Sequence, residues 1–179
     1  MGAAKATLVL EGRPLVDYPL AALAEAGLEA VVVAKRDSPL PDLDVPVWRE
    51  PDEPAHPLTG ITTALEQADG RALVVVACDM PFTSPRLLSY LAELDARLAV
   101  PLAGGRLHPL IGRYEPSVLA QLVSALGERL PVQRAVSELD PRLIDEQSLE
   151  AFGDPDRLLF NVNRPADLER ARELLAGKG

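Results

Sequence analysis

The chain is poor in the residues that mark many protein classes. It has one cysteine, Cys78, so an internal disulfide is excluded and a reducing compartment is expected. Aromatic residues make up 4% of the chain and histidines number two, His56 and His108, with no metal-ligand spacing between them. No apolar run approaches the roughly 18–20 residues of a membrane span, and the N-terminal residues lack the basic-then-apolar order of a secretion signal. Basic residues are outnumbered, 18 Lys and Arg against 27 Asp and Glu, for a net charge of −9. That balance argues against nucleic acid or a membrane surface as partner, since both require a cationic face. It also means that a polyanionic ligand needs a local cation, from a side chain or a metal ion. No serine elbow, Walker-type loop or dinucleotide fingerprint is present. The cytoplasm is the expected location.

What is present is an ordinary globular composition over 179 residues, 47% of them hydrophobic. That length suits one domain with a real core. Two short, β-branched, non-alternating runs, Ala30–Val33 and Ala72–Ala77, read as strands covered on both faces. Segments with helical spacing surround them. Leu58, Ile61 and Leu65 share one face entered at Pro57. Leu87, Leu88, Leu91 and Leu94 form a second stripe, with Ser84 as N-cap and Pro85 at the first helical position. Val118, Leu119, Leu122 and Leu126 follow Pro116, and Leu168, Ala171, Leu174 and Leu175 follow Pro165. Proline suits a first turn because its missing N–H has no helical partner there anyway. A helix over Leu15–Ala26 is interrupted by Pro19, which predicts a kink or a later start. The proline-rich stretch from Arg36 to Pro57 reads as a long connection with a short strand at Val45–Trp48. The alternation of strand and helix predicts an α/β layered fold with a largely parallel sheet.

In open sheets of this kind, ligands bind beyond the carboxyl ends of the strands. The second apolar run leads directly into Cys78-Asp79-Met80-Pro81-Phe82. Asp79 is therefore either a hard oxygen ligand for Mg²⁺ at the sheet mouth or the cap of a turn. Cys78 reads as inert, with no sequence neighbour that favours a thiolate. Lys5 alone reads as a solvated terminal charge. Asn163, just before Pro165, reads locally as the N-cap of the last helix, whereas Asn161 has no such role. His108 lies in a hairpin-like turn, and His56 precedes a helix.

Taken in order, these segments resemble a known family. Met1-Gly2-Ala3-Ala4-Lys5-Ala6 and Glu11-Gly12-Arg13-Pro14-Leu15 are similar to the "RMG..K" and "G+PL" segments of the MobA-like nucleotidyltransferases, the molybdenum cofactor guanylyltransferases. Glu50 followed by His56-Pro57-Leu58-Thr59-Gly60-Ile61 resembles their acidic residue and "GPLAGI". Cys78–Phe82 matches "CDMPF". His108-Pro109-Leu110-Ile111-Gly112-Arg113-Tyr114 resembles "HPLxALY", and Asn161-Val162-Asn163-Arg164-Pro165 resembles "NVNTPEDL". The matches keep their order across essentially the whole chain.

The resemblance implies one transferase domain over residues 1–179, with a three-layer, Rossmann-like α/β fold around a mostly parallel mixed sheet of the glycosyltransferase-A-like kind. It implies a reaction in which a nucleoside monophosphate passes from Mg-GTP to the terminal phosphate of molybdopterin, releasing pyrophosphate. It makes Asp79 the Mg²⁺ ligand, Lys5 the cation facing the triphosphate, and Glu50 a nucleotide contact. It sets His108, Pro109, Asn161 and Asn163 on the pterin side. The implied partners are GTP or another NTP, a molybdopterin-type cofactor, and molybdenum-insertion proteins or molybdoenzymes. Two departures stand out. The sequence opens at the Met-Gly that ends the family's glycine-rich loop, so the domain is expected to be N-terminally incomplete, with unpaired sheet edges and a start that lies upstream. Ala34-Lys35-Arg36 also replaces an Asn that reads guanine, which leaves CTP open as donor and a sugar phosphate open as acceptor. A relative that lacks the loop and only binds the cofactor, or serves as an adaptor, is the non-enzymatic alternative.

Overall fold

The computed structural model describes residues 5–177. The described chain begins with a two-strand hairpin, β1 (Val9–Leu10) and β2 (Arg13–Pro14), turned by Glu11 and Gly12 at φ 48° and 79°. Positive φ at both central positions is what a two-residue hairpin of right-handed strands demands, and Gly12 adopts it without strain. Helix α1 runs over Asp17–Glu25, so Pro19 lies in the first turn, and the structure resolves its conflict by a later start. Strand β3 (Val32–Ala34) pairs in parallel with β4 (Val47–Arg49), placing the short strand of the long connection against the first apolar run.

Helix α2 (Pro57–Gln67) starts at its proline as expected, and the His56 imidazole Nδ1 accepts from the Leu58 N–H at 3.2 Å to cap it. Strand β5 (Leu73–Val76) precedes α3 (Pro85–Glu93), whose N-cap is Ser84, although the serine hydroxyl makes no capping bond. Next come β6 (Leu98–Ala103), β7 (Arg106–Leu107) and β8 (Ile111–Tyr114). Pro116 opens a 3-10 turn over Pro116–Val118 that leads into α4 (Leu119–Gly127) and α5 (Val132–Ser137). The chain continues through β9 (Arg142–Ile144), the short helices α6 (Glu146–Leu149) and α7 (Pro155–Leu158), and α8 (Pro165–Leu175).

The main sheet is ordered β5-β8-β6-β9, with β7 paired to the far end of β6. Strands β5, β6 and β9 share one direction, and β8 runs against them between β5 and β6. The sheet is thus mixed, and its carboxyl end is set by the strands that share that direction. Side chains alternate across it with the period of two that a pleated strand imposes. Leu73 and Val75 of β5, Leu98 and Val100 of β6 and Tyr114 of β8 meet the α2 stripe of Leu58, Ile61 and Leu65 on one face, together with Leu122 of α4. Val74, Val76, Ala99, Ala103 and Ile111 meet Leu87 and Leu91 of α3, Ile144 and Leu149 on the other. Each fully buried leucine contributes about 1.5–3 kcal/mol, so these two seams hold the helices to the sheet.

The two apolar runs expected to be covered on both faces are only partly so. All four residues of β5 remain partly exposed, as do Val32 and Val33 of β3. Among the described residues no ladder hydrogen bond joins the β3–β4 pair to the main sheet. Ala22 and Leu23 of α1 and Leu88 of α3 pack on Ala30, Val74 and Val76 across that interruption.

Cys78 lies two residues beyond β5 rather than on it. Its thiol is pushed up to about 11, first by burial and then by the neighbouring Asp79, against a smaller lowering by Lys5. A raised thiol favours the native state below its unfolded pKa near 9, and that contribution disappears as pH rises toward 11. Stability to urea is expected to fall from pH 9 upward, and Cys78→Ser is expected to flatten the onset of that fall. At pH 8, native Cys78 should react with iodoacetamide about a hundredfold more slowly than the unfolded chain, since the thiolate fraction falls tenfold per unit of pKa. Equal rates would show the thiol to be accessible and ionised.

Gly112 sets how closely β8 and β6 approach. A β-carbon there would lie 2.6 Å from the Ala99 carbonyl oxygen and 2.8 Å from Val100 Cγ1. Backbone cannot yield as a side-chain tip can, so Gly112→Ala is expected to cost about 1–3 kcal/mol in urea unfolding. Gly127→Ala, with nothing within 4 Å of the added methyl, is expected to be neutral or stabilising by less than about 1 kcal/mol.

Candidate functional site

Three segments far apart in sequence meet at the carboxyl end of β5. The first is the turn that begins with Lys5, the second is the Cys78–Phe82 loop, and the third is the Asn161–Arg164 segment before α8. Lys5 Nζ donates to Asp79 Oδ2 at 2.7 Å and to Asn163 Oδ1 at 2.5 Å. The main chain reinforces the junction, because the Val162 N–H donates to the Asp79 carbonyl oxygen at 2.9 Å. Phe82 and Phe160 pack beside it with ring centroids 5.9 Å apart. Lys5 is therefore no solvated terminal charge. Its side chain is 22% exposed and that of Asp79 only 11%.

The Asp79 carboxylate caps no turn. One oxygen meets the Lys5 ammonium; the other, Oδ1, is buried and has no hydrogen-bond partner among the described residues. A buried acceptor without a donor costs about 1–3 kcal/mol, a standing penalty that structural carboxylates avoid. The arrangement leaves one carboxylate oxygen with no partner among the described residues.

Asn163 is not the N-cap of α8. That position is taken by Arg164, and the Asp167 carboxylate three residues later accepts from both the Asn163 and Arg164 N–H groups at 2.8 Å. With the backbone donors satisfied from Asp167, the Asn163 amide is free to face Lys5. Asp167 is the site residue that the sequence reading missed, and its signal was the N-cap-to-N3 spacing of a capping box. Asn161 donates through Nδ2 to the Leu159 carbonyl oxygen at 3.0 Å, so part of its role is to close the turn after α7.

His108 and Pro109 approach the same end through β8. Leu110 accepts from the Ala77 N–H at 2.8 Å, and the buried Tyr114 hydroxyl donates to the Pro109 carbonyl oxygen at 2.6 Å. Burial lowers the His108 imidazole from its ordinary range, with a bond to the Ala103 main chain acting against it, which leaves the ring neutral at pH 7.

Glu50 stands on different elements. It follows β4, and its N–H donates to the Ala34 carbonyl oxygen at 3.1 Å. Its carboxylate packs on α2, with Oε2 only 3.1 Å from where a β-carbon on Gly60 would lie. Burial raises its pKa, opposed by the Lys35 charge. Arg49 braces the loop after β3 by donating to the Lys35 carbonyl oxygen at 2.7 Å. No hydrogen bond or ion pair among the described residues joins Glu50 to Lys5 or Asp79. The structure thus brings Lys5, Asp79 and Asn163 together, sets His108 and Pro109 in the turn that leads into β8 beside β5, and leaves Glu50 with Lys35 at the end of the β3–β4 pair.

The better-formed surface concavities are elsewhere, one lined by Glu53, His56 and Arg129, the other by Glu11, Tyr18 and Arg172. Among the described residues no cluster of three or more His, Cys, Asp or Glu side chains forms a metal cage, and no helix is long and apolar enough to cross a membrane. The site is defined by its charges rather than by depth.

Comparison with known proteins agrees with this geometry. Residues 1–143 match the MobA-like NTP transferase domain. The molybdenum cofactor guanylyltransferase of Cereibacter sphaeroides is 35% identical over 185 residues, covering 97% of this chain and 89% of its own. Among solved structures, molybdopterin-guanine dinucleotide biosynthesis protein A from Archaeoglobus fulgidus superposes with a TM-score of 0.77 at 22% identity, over 97% of this chain and 91% of that one. The 2-C-methyl-D-erythritol 4-phosphate cytidylyltransferase of Thermus thermophilus gives a TM-score of 0.70, also at 22% identity, over 96% and 93%. The sheet with helices on its two faces is the Rossmann-like α/β fold of these nucleotidyltransferases, and the chain belongs to the MobA-like NTP transferase family.

Proposed function

We propose that this protein, as one transferase domain in the cytoplasm, moves GMP from Mg-GTP to the terminal phosphate of a molybdopterin-type cofactor. An acceptor phosphate oxygen attacks the α-phosphorus, the bond between that phosphorus and the α–β bridging oxygen breaks, and pyrophosphate leaves. The observation that carries this reading is the Lys5–Asp79–Asn163 cluster at the carboxyl end of β5. Similarity to the molybdenum cofactor guanylyltransferase of Cereibacter sphaeroides supports the choice of substrates. Molybdenum-insertion proteins or molybdoenzymes are the recipients that this product implies.

The residues fit a divalent ion. Asp79 has one buried oxygen that meets no donor among the described residues. Mg²⁺ characteristically takes one or two carboxylates and completes its shell with phosphate oxygens and water, so a single Asp suffices where a full protein cage is missing. When bound, the ion supplies charge neutralisation to the phosphates. Lys5 and Asp79 are the catalytic residues in this reading. Lys5 presents an ammonium to the triphosphate, whose charge a protein of net −9 does not otherwise attract. Glu50 and the braced Lys35 loop face the nucleoside. His108, Pro109, Asn161 and Asn163 orient the pterin. His108, neutral at pH 7, acts as a hydrogen-bonding group and not as a second cation. Reactions of this type depend on alignment and charge stabilisation more than on covalent chemistry, which is why so few ionised groups are enough.

Lys35 at the end of β3 favours a test of base choice. Pyrophosphate release would be measured with Mg²⁺, a molybdopterin acceptor and each of GTP, CTP, ATP and UTP. Release with GTP is expected; release with CTP alone would reassign the base, and none with any nucleotide would remove the transferase reading. Asp79→Asn is expected to lower turnover by at least about a hundredfold, the scale of losing one preorganised electrostatic partner. Turnover near the parent level would take Asp79 out of the mechanism.

A further inference from the structure

Lys5 and the divalent ion of the proposed function need the same carboxylate. The ammonium lies 2.7 Å from Asp79 Oδ2 and 2.5 Å from Asn163 Oδ1, between two oxygens from distant parts of the chain. Two oxygens converging on one positive charge form a cradle for a cation, and Lys5 fills it. Asn163 is fixed for this task, since its N–H is anchored by Asp167 and its neighbour Val162 is tied to the Asp79 main chain. The remaining acceptor, Asp79 Oδ1, is buried beside the cradle without a donor among the described residues. The carboxylate is thus neutralised on one oxygen and available on the other.

We propose that Lys5 is an intramolecular placeholder for the divalent ion. In the nucleotide-free protein its ammonium neutralises Asp79 and keeps a divalent ion out. When a nucleotide triphosphate arrives, Lys5 exchanges Asp79 and Asn163 for phosphate oxygens, which releases the cradle to the ion that travels with the nucleotide. The electrostatics require this order. A single carboxylate with a lysine already paired has no net charge to offer a dication, and a dication placed beside the ammonium is repelled by it. A triphosphate reverses the balance because it supplies enough negative charge for both cations. By linkage, nucleotide and metal must then raise each other's affinity by the same factor. Asn163 becomes a positioning residue that acts through Lys5, in addition to any contact with the acceptor. This inference rests on Asp79 being the metal carboxylate.

The test is binding of Mn²⁺ alone, without nucleotide, followed by electron paramagnetic resonance of the free ion. Four variants are compared with the parent after circular dichroism has shown that they are folded. Lys5→Met removes the charge and keeps much of the apolar stem; Lys5→Arg keeps the charge; Asp79→Asn removes the carboxylate alone; Lys5→Met with Asp79→Asn removes both charges. Lys5→Met is expected to bind Mn²⁺ at least about tenfold more tightly than the parent. Lys5→Arg is expected to stay near the parent, and the double variant to lose the gain. If Lys5→Met binds Mn²⁺ no more tightly than the parent, while Asp79→Asn in the parent still weakens binding, the placeholder is wrong and Asp79 remains the metal carboxylate. If the double variant keeps the tighter binding, Mn²⁺ is held elsewhere, and the reading of Asp79 as its ligand fails as well.

Discussion

One ion pair organises this molecule. Lys5 and Asp79 are separated by 74 positions, and Lys5 and Asn163 by 158, yet all three meet around one ammonium. A charge that is mostly withdrawn from water demands a partner, because removing either member leaves the other unpaired at a cost of several kcal/mol. The demand reaches far along the chain. Asp79 is held where β5 ends, so its height is set by the ladder to β8, where Val76 stands opposite Ile111. β8 in turn can approach β6 because Gly112 has no side chain to meet the Ala99 carbonyl. Lys5 reaches Asp79 only because the turn before β1 is anchored, with the Leu15 N–H donating back to the Leu8 carbonyl oxygen at 2.7 Å. The apolar seams supply the energy of folding. The ion pair determines which ends of the elements must coincide.

How much of this the sequence discloses depends on the range of the interaction involved. Elements decided by local chemistry were readable. Proline at a first turn marked α2, α3 and α8, and the leucine stripes named the faces that they bury. β6 and β8 were not readable, since Pro101 interrupts the first and Gly112 with Arg113 dilutes the second. Both features make sense only in three dimensions. Arg113 spends its guanidinium on the carbonyl oxygens of Ala92 and Ala96 and on Glu115, and Gly112 serves a neighbouring strand. The site divides in the same way. The place of Asp79 at the mouth of the sheet was legible because an apolar strand run leads into it. Local logic made Asn163 a helix cap, and it failed because the helix begins one residue later, with Arg164 at the N-cap and Asp167 reaching back to the Asn163 and Arg164 N–H groups. Nothing within hydrogen-bonding range of sequence reports a partner 158 residues away.

The interruption between β3 and β5 bears on the site through geometry rather than through chemistry. Glu50 and Lys35 are positioned by the β3–β4 pair, whereas Lys5, Asp79 and Asn163 gather where β5 of the main sheet ends. Without ladder bonds between these sheets, the tie consists of helices: α2 packs on strands of both, and α1 packs with α3 above Ala30, Val74 and Val76. Side-chain packing between helices and sheets resists separation well, but it fixes register less sharply than a hydrogen-bond ladder does. The two halves of the proposed nucleotide site are therefore coupled by α2. Gly60 lies at the point of closest contact, where the Glu50 carboxylate presses against the helix. A larger residue there would push the nucleoside half away from the phosphate half without touching either substrate.

The charge balance of the whole chain explains why the site is built from a pair that already neutralises itself. A protein of net charge −9 repels phosphorylated substrates at long range, so attraction must be local and short. A free lysine on such a surface would spread its charge among many acidic neighbours. Held by Asp79 and Asn163 it has one place and one orientation, and its partners are the groups that a phosphate and its counter-ion would replace. Preorganisation of this kind has its cost in folding, as a desolvated pair and an orphaned carboxylate oxygen, and not at the moment of reaction. The orphan is the sharper indicator of the two. An ion pair alone is compatible with a structural role, but Asp79 Oδ1, buried without a donor among the described residues, is a cost with no return inside the described fold. The ion of the proposed function would offset that cost by completing the carboxylate.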